Sequence, residues 1–144
     1  HPDVASTLTG LGILAYRRRE YDEASRLYAE ALTVQERAQG NDHIDVARGL
    51  VNFGNAEREL GRLAEAVIAY RRAVGIFENR LGAEDPEVAF ALRNLGLAQE
   101  RLGQTDAARA TFERALAIRE ASFGREDPST VSLRRSLAEL AMLG

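Results

Sequence analysis

The sequence repeats itself with a period of 42 residues, and this period constrains the fold more than any single residue does. Two sets of glycines recur at this interval, Gly12, Gly54 and Gly96 and then Gly40, Gly82 and Gly124. The segment HPDVA at 1–5 also returns at this interval, as HIDVA at 43–47 and as DPEVA at 85–89. A fixed period of a few tens of residues is typical of structural repeats that stack side by side. Such stacks usually present a long curved surface rather than a catalytic pocket.

Composition excludes several classes of function. The net charge of -3 argues against nucleic acid as a partner, because nucleic-acid binding needs clustered positive charge. No apolar run is long enough to span a bilayer, and no signal segment is present at the start. The absence of cysteine excludes disulfides and thiolate metal sites. We therefore expect a cytoplasmic protein without a membrane or nucleic-acid partner, and, because the chain starts without Met, a piece of a longer protein.

The first half of each unit is predicted to form one helix. Apolar and small residues recur there with helical spacing, for example Leu92, Leu95 and Gly96. Asp85 is a suitable N-cap ahead of Pro86, since proline suits the first helical position. These first helices are predicted at about 2–18, 44–60 and 86–102.

The second half of each unit is predicted to form another helix, starting at about Asp22, Ala64 and Thr105. Small and large residues alternate in it, so that each alanine admits a neighbouring helix and each aromatic residue fills the space beyond. The second helices are predicted to end at Gly40, Gly82 and Gly124. Gly61 and Gly103 allow a left-handed turn between the two helices. Arg18 and Arg19 stand in the first copy where Leu and Gly follow later, so the sequence predicts a looser first turn.

The order of these residues resembles the tetratricopeptide repeat. It is carried by Leu50, Phe53, Gly54, Gly61, Ala66, Tyr70 and Ala73, and again by Leu92, Leu95, Gly96, Gly103, Ala108, Phe112 and Ala115. The period is 42 rather than about 34, and with the Gly-x-x-Asp/His-Pro connector it is similar to the kinesin-light-chain variety. The resemblance implies an all-α, right-handed superhelical solenoid of stacked antiparallel helix hairpins. One domain, 1–144, would hold repeats at about 1–42, 43–84 and 85–126.

A terminal helix is predicted at about 128–142. Arg134 and Ala138 replace the Leu and Gly that earlier copies carry at the same positions. A polar residue on the face that would meet a further repeat is what a natural capping helix needs. Truncation of the repeat array is the alternative, and the sequence leaves both open.

The resemblance also implies that the first helices line a concave groove. Residues not used for packing form a stripe on each: Ser6, Thr9, Ile13 and Tyr16, then Arg48, Val51, Asn52, Asn55 and Arg58, then Phe90, Arg93, Asn94, Leu97 and Glu100. Asparagine amides can pair with a ligand backbone, and arginines can hold a carboxylate. Apolar members such as Phe90 can form shallow pockets.

We therefore predict an extended peptide or partner segment with acidic residues as the ligand. The predicted peptide-binding residues are Ile13, Tyr16, Arg48, Asn52, Asn55, Phe90, Arg93, Asn94 and Leu97. Arg93 resembles the basic residues that hold carboxylates in the family, although a lysine-type partner is missing. The alternative is a solvated face, with Arg48 or Arg58 paired to Glu57 or Glu59 and Phe90 used for packing.

The sequence gives no basis for an enzyme, and no cofactor or metal is expected. His1 and His43 occupy one repeat-equivalent position and lie too far apart to share a metal ion. No zinc-protease, phosphate-loop or nucleophile-elbow motif is present. Glu57 and Glu59 are interpreted as exposed charges.

Three functions remain open at this stage. The first is a protein-interaction module, and the second is a regulatory or sensor segment of a larger signalling protein. The third is a structural scaffold that self-associates through the face carrying Leu8 and Tyr28.

Overall fold

The computed structural model describes residues 2–143, with side chains from Val4 onward, and this part of the chain is all-α. Its helices are α1 Pro2–Arg17, α2 Tyr21–Gln39, α3 Ile44–Glu59, α4 Leu63–Leu81, α5 Pro86–Arg101, α6 Thr105–Phe123 and α7 Pro128–Leu143. Each helix packs on the next, so that three helix hairpins and α7 stack into a repeat superhelix. The predicted fold class and helix positions are confirmed, with first helices one residue shorter than expected.

The helix ends are fixed by the predicted capping residues. The Asp85 carboxylate accepts a hydrogen bond from the Glu87 amide at 2.9 Å, and His43 Nδ1 accepts one from the Asp45 amide at 3.0 Å. Each second helix ends at a glycine with positive φ, the conformation that glycine adopts at least cost. The sequence thus sets both ends of the hairpins.

Within each hairpin a glycine on the first helix lies directly against an aromatic ring on the second. These glycine–aromatic contacts are Gly12 with Tyr28, Gly54 with Tyr70, and Gly96 with Phe112. A Cβ added to any of the three glycines would lie 2.6 to 2.7 Å from the nearest ring atom. The glycines therefore allow the two helices to approach more closely than a side chain would permit.

The core consists of two clusters along the stack. Tyr70, Phe77 and Phe112 are its largest fully buried residues, and most of it lies in the second and third repeats. Phe53 packs against this cluster and also against the smaller cluster of the first repeat. It therefore joins the first hairpin to the second.

One face of α1 is more exposed than the repeat pattern predicts. Leu11 is 48% exposed, whereas its equivalents Phe53 and Leu95 pack in the core. Val4 and Leu14 are exposed on the same helix. Tyr28 is buried against Gly12, so the expectation that it contributes to an exposed self-association face is wrong.

The first hairpin turn is not looser than the others. Arg19 adopts the left-handed conformation with φ of 62°, close to the 79° of Gly61. The Glu20 amide donates to the Ala15 carbonyl at 2.9 Å, as the Arg62 amide does to the Glu57 carbonyl at 2.8 Å. The expectation of a looser turn is therefore wrong, because the backbone hydrogen bonds impose the same turn on a non-glycine residue.

Glu57 is buried, which corrects its interpretation as an exposed charge. The residue is 3% exposed, and Gln99 is buried equally at the same position of the next repeat. The Ser25 hydroxyl donates to the Glu57 carboxylate at 2.5 Å, and Arg62 donates to it at 3.3 Å. The carboxylate thus ties the second helix of one repeat to the first helix of the next.

Candidate functional site

A groove runs along the first helices, formed by three cavities between successive members of that set. The cavity between α1 and α3 has a volume of about 430 Å³, that between α3 and α5 about 510 Å³, and that between α5 and α7 about 270 Å³. Arg48 and Asn52 line both of the first two cavities, and Phe90 and Arg119 line both of the last two. Because neighbouring cavities share walls, they form one continuous channel.

The α1–α3 cavity carries several polar side chains, including the carboxylate of Asp45. Ser6, Thr9 and Asn52 supply hydroxyl and amide groups, and Ile13 supplies an apolar wall. Gln35 lies at its base, and Gln35 Oε1 is buried without a hydrogen-bond partner among the residues that the structure describes. This acceptor is suited to a donor group from a ligand.

The α3–α5 cavity is mainly apolar. Val51, Phe77, Pro86 and Phe90 line it. Phe77 is buried at the base, whereas Phe90 is 51% exposed at the wall. A cavity of this composition suits a large apolar side chain.

An ion pair crosses the rim of that cavity. The Arg48 guanidinium donates two hydrogen bonds to the Glu87 carboxylate, at 2.6 and 3.2 Å. Arg48 therefore pairs with a residue of the next repeat, and not with Glu57 or Glu59 as the alternative interpretation held. A ligand carboxylate would have to compete with Glu87 for this guanidinium.

The α5–α7 cavity is cationic. Arg93, Arg119, Ser129 and Ser132 line it, and no carboxylate belongs to its described lining. None of the ion pairs among the described side chains includes Arg93. The cavity therefore offers guanidinium and hydroxyl donors to an anionic group.

Arg119 is held in place by its neighbours. It donates to the Asp127 carboxylate at 3.0 Å, and its guanidinium carbon lies 4.2 Å from the centroid of the Phe123 ring. The hydrogen bond from Arg119 lowers the pKa of Asp127 below its ordinary value. The Nε atom of Arg119 remains buried without a partner among the described residues.

Five of the predicted binding residues line the groove, namely Ile13, Arg48, Asn52, Phe90 and Arg93. The other four pack or form hydrogen bonds within the protein. The Tyr16 ring packs edge-to-face on Tyr21 with centroids 5.2 Å apart, and Leu97 packs against the core. Asn55 accepts a hydrogen bond from the Tyr70 hydroxyl at 2.5 Å.

Asn94 differs most from its predicted role. It is 3% exposed, its Oδ1 accepts from Arg58 at 3.0 Å, and its Nδ2 donates to the Phe90 carbonyl at 3.0 Å. Its amide is therefore not presented to the groove, contrary to the expectation. Instead it links α3 to α5 and holds Arg58 at the repeat interface.

Sequence reasoning missed the residues at the base of the groove. Gln35, Phe77 and Arg119 come from the second helices, which were interpreted only as packing elements. They are 42 residues apart and thus occupy one repeat position, which we call the groove floor. The available signal was a change from amide to aromatic ring to guanidinium at a position that is followed by glutamate in every copy.

Nothing in the described part of the chain supports a metal centre. No group of three or more His, Asp or Glu residues within it is arranged to hold a metal ion. His43 serves as a helix cap, and His1 lies outside the described residues. No helix in residues 2–143 has the length and hydrophobicity needed to cross a membrane.

Comparison with known proteins identifies the repeat type. The family model of the tetratricopeptide repeat matches residues 3–79, 45–121 and 87–144, which together cover nearly the whole chain. Comparison with curated proteins gave no significant match.

Solved structures of similar fold include two kinesin light chain-like proteins. One, from Podosopora anserina with nearly identical TPR-like repeats, has a TM-score of 0.88 and 22% identity over 97% of this chain and 66% of that one. BtubC (BKLC) from P. vanneervenii has a TM-score of 0.90 and 26% identity over 97% of this chain and 56% of its own. The present chain thus spans less than two thirds of each.

A third similar structure contains a peptide. The first TPR of Spaghetti (RPAP3), bound to the HSP90 peptide SRMEEVD, has a TM-score of 0.75 and 18% identity. The match covers 99% of this chain and 94% of that one. At this identity the likeness concerns the fold.

Proposed function

The chain belongs to the tetratricopeptide repeat family, and we propose that it is a cytoplasmic protein-interaction module, not an enzyme, that binds an extended peptide with acidic residues. The observation that carries the proposal is the continuous groove, whose three cavities share Arg48 and Asn52 and then Phe90 and Arg119. A channel of this form suits a ligand that crosses several helices, since an extended chain advances about 3.3 Å per residue.

The charges of the groove support an acidic ligand. Arg93 lacks an acidic partner among the described side chains, whereas Arg119 donates to Asp127 and keeps only its buried Nε without an acceptor. A guanidinium without a partner gains charge-assisted hydrogen bonds when a carboxylate binds. The peptide SRMEEVD bound by the first TPR of Spaghetti also carries acidic residues, which agrees with this ligand class.

Selection from a random library of peptides about twelve residues long, displayed on phage, tests the proposal. We expect the chain to enrich peptides with acidic residues. The variant Phe90→Ala/Arg93→Ala should lose most of this binding at an unchanged melting temperature, because both side chains face the groove.

The matched control is Ile68→Ala/Arg109→Ala, which removes one large apolar side chain and one arginine from the second helices. Ile68 is exposed on α4, and Arg109 on α6 pairs with Asp106 at 3.3 Å within its own helix. The control should bind like the unmodified chain. Equal binding by the groove variant, or enrichment of no peptide at all, would overturn the proposal.

Self-association is a second candidate function, favoured by the exposed apolar face of α1. Val4, Leu11 and Leu14 occupy positions whose equivalents in α3 and α5 are buried or packed against the preceding repeat. Light scattering across a concentration series tests this candidate. A mass that stays at the monomer value excludes it, and a mass that rises and then falls back in a Leu11→Glu variant supports it.

A further inference from the structure

A further cavity, of about 350 Å³, lies between the second helices α4 and α6 and has α5 at its base. The residues that line it fall on one face of each helix, because they are spaced three, four or seven positions apart. They are Arg71 and Val74 of α4, Leu92, Leu95 and Gln99 of α5, and Ala110, Thr111 and Arg114 of α6. None of these residues lines a cavity of the groove. The α4–α6 cavity is therefore a separate place for a ligand.

The base of the α4–α6 cavity is apolar. Val74, Leu92 and Leu95 form it, and all three are buried. Arg71 and Ala110 are exposed at the opening. This volume and an apolar base with few polar groups are typical of sites that bind small molecules.

A buried amide at the base has donors to offer. Gln99 is 3% exposed, and its Oε1 accepts a hydrogen bond from the Thr111 hydroxyl at 2.7 Å. None of the hydrogen bonds among the described residues is donated by Gln99 Nε2. A buried polar group in this state gains a hydrogen bond when an acceptor enters the cavity.

The opening of the cavity carries a cation. None of the ion pairs among the described side chains includes Arg71, whereas Arg114 pairs with Glu78 at 3.0 Å. The described lining contains no carboxylate. Arg71 is therefore the guanidinium that remains for an anionic group, and Arg114 is a fixed part of the wall.

The equivalent place one repeat earlier, between α2 and α4, has a different chemistry. Six of the eight lining positions differ: three side chains become smaller, one becomes a guanidinium, one carboxylate becomes an amide and one position gains a hydroxyl. The pairs are Leu32 and Val74, Phe53 and Leu95, Ile68 and Ala110, Ala29 and Arg71, Glu57 and Gln99, and Ala69 and Thr111. These differences add space and positive charge and remove a negative charge. The α4–α6 interface is thus better suited to an anion than the interface before it.

We propose that the α4–α6 cavity binds a small organic acid with an apolar body. The body packs on Val74, Leu92 and Leu95, and its burial supplies the hydrophobic part of the affinity. The carboxylate accepts charge-assisted hydrogen bonds from Arg71 and a hydrogen bond from the Gln99 amide. This site is independent of peptide binding in the groove.

A titration with 3-phenylpropanoate, followed by amide NMR spectra, tests the proposal. We expect saturable shift changes at Val74, Leu95 and Thr111, with a dissociation constant on the order of 1 mM, as is usual for a ligand of this size. Two matched compounds separate the parts of the ligand, since 3-phenylpropanamide lacks the charge and propanoate lacks the ring. Each should bind about tenfold more weakly.

Two variants install residues of the preceding repeat at the opening. Ala110→Ile narrows the opening and Arg71→Ala removes the cation, so each should weaken binding of 3-phenylpropanoate about tenfold. The melting temperature should not change, because both positions are exposed. The matched control is Arg109→Ala, which removes an arginine of α6 outside the lining and should leave binding unchanged.

The proposal is wrong if 3-phenylpropanoate causes no saturable shifts, or if its shifts are confined to residues of the groove. Equal binding of the neutral amide, or unchanged affinity in both variants, would also overturn it. The phage selection tests the groove alone, so the two proposals can fail separately.

Discussion

The glycine–aromatic contacts and the groove floor differ in how much their residue types vary between repeats. The glycine–aromatic contacts are nearly identical in all three repeats, with Cβ clearances of 2.6 to 2.7 Å. The groove floor changes chemical class at every repeat, from Gln35 to Phe77 to Arg119. Both positions follow the 42-residue period. At these two positions, recurrence accompanies the contact that holds each hairpin together, and variation accompanies the lining of the groove.

The largest expected effect on stability comes from filling a glycine–aromatic contact. In Gly54→Ala the new Cβ would lie 2.7 Å from the Tyr70 ring, and overpacking of this kind costs about 1 to 3 kcal/mol. Chemical denaturation should report this loss of unfolding free energy. The matched control is Gly75→Ala in α4, where no atom lies within 4 Å of the added Cβ. It should stabilise the protein by about 1 kcal/mol through helix propensity, and equal effects of the two changes would contradict the account.

At the groove floor, a change should reduce binding, and at Arg119 it also removes the ion pair with Asp127. Arg119→Gln installs the residue of the first repeat and removes the cation, so affinity for an acidic peptide should fall about tenfold. Arg109→Gln on the outer surface should leave the affinity unchanged. Anisotropy titrations with both variants measure the difference, and an unchanged affinity for Arg119→Gln would show that the floor does not contact the ligand.

The hydrogen-bonded pair Asn55–Tyr70 of the second repeat has an apolar counterpart in the third repeat. In the second repeat Asn55 accepts from Tyr70, whose hydroxyl pKa is raised above its ordinary value by burial. In the third repeat the same positions are Leu97 and Phe112. Asn55→Leu alone should cost about 1 to 2 kcal/mol, because it leaves the Tyr70 hydroxyl without its acceptor. Adding Tyr70→Phe should restore most of the loss, and additive effects in the double-mutant cycle would contradict this pairing.

The smallest effect is expected at the first hairpin turn. Arg19 holds a left-handed conformation that costs a non-glycine residue about 1 to 2 kcal/mol. Arg19→Gly should raise the unfolding free energy by about 0.5 to 1 kcal/mol, since the greater freedom of glycine in the unfolded chain offsets part of the gain. A decrease would mean that the Arg19 side chain makes a stabilising contact.

Most of the fold followed from the sequence, because its determinants are local or repeat at a fixed interval. Asp85, Gly61 and Gly103 mark helix ends by their own conformational and capping preferences. The exposure of Leu11 could not be predicted, because burial at that position depends on a neighbouring hairpin. The burial of Glu57 was missed because its partner Ser25 lies in another repeat.

The candidate site was predictable only in part. Helical spacing placed Arg48, Phe90 and Arg93 on the groove side of the first helices, and the structure brings them to its wall. Spacing does not reveal hydrogen bonds between repeats, so the internal role of Asn94 was hidden. The floor residues were missed because only the stacking of hairpins shows which part of a second helix reaches the groove.

A titration followed by amide NMR spectra tests the central claim most directly. With an acidic peptide recovered by the phage selection, the account predicts shift changes concentrated at the groove-lining residues of α3 and α5 and at the start of α7, with little change near Ile68 and Arg109. Changes concentrated on the outer faces of α4 and α6 would contradict it.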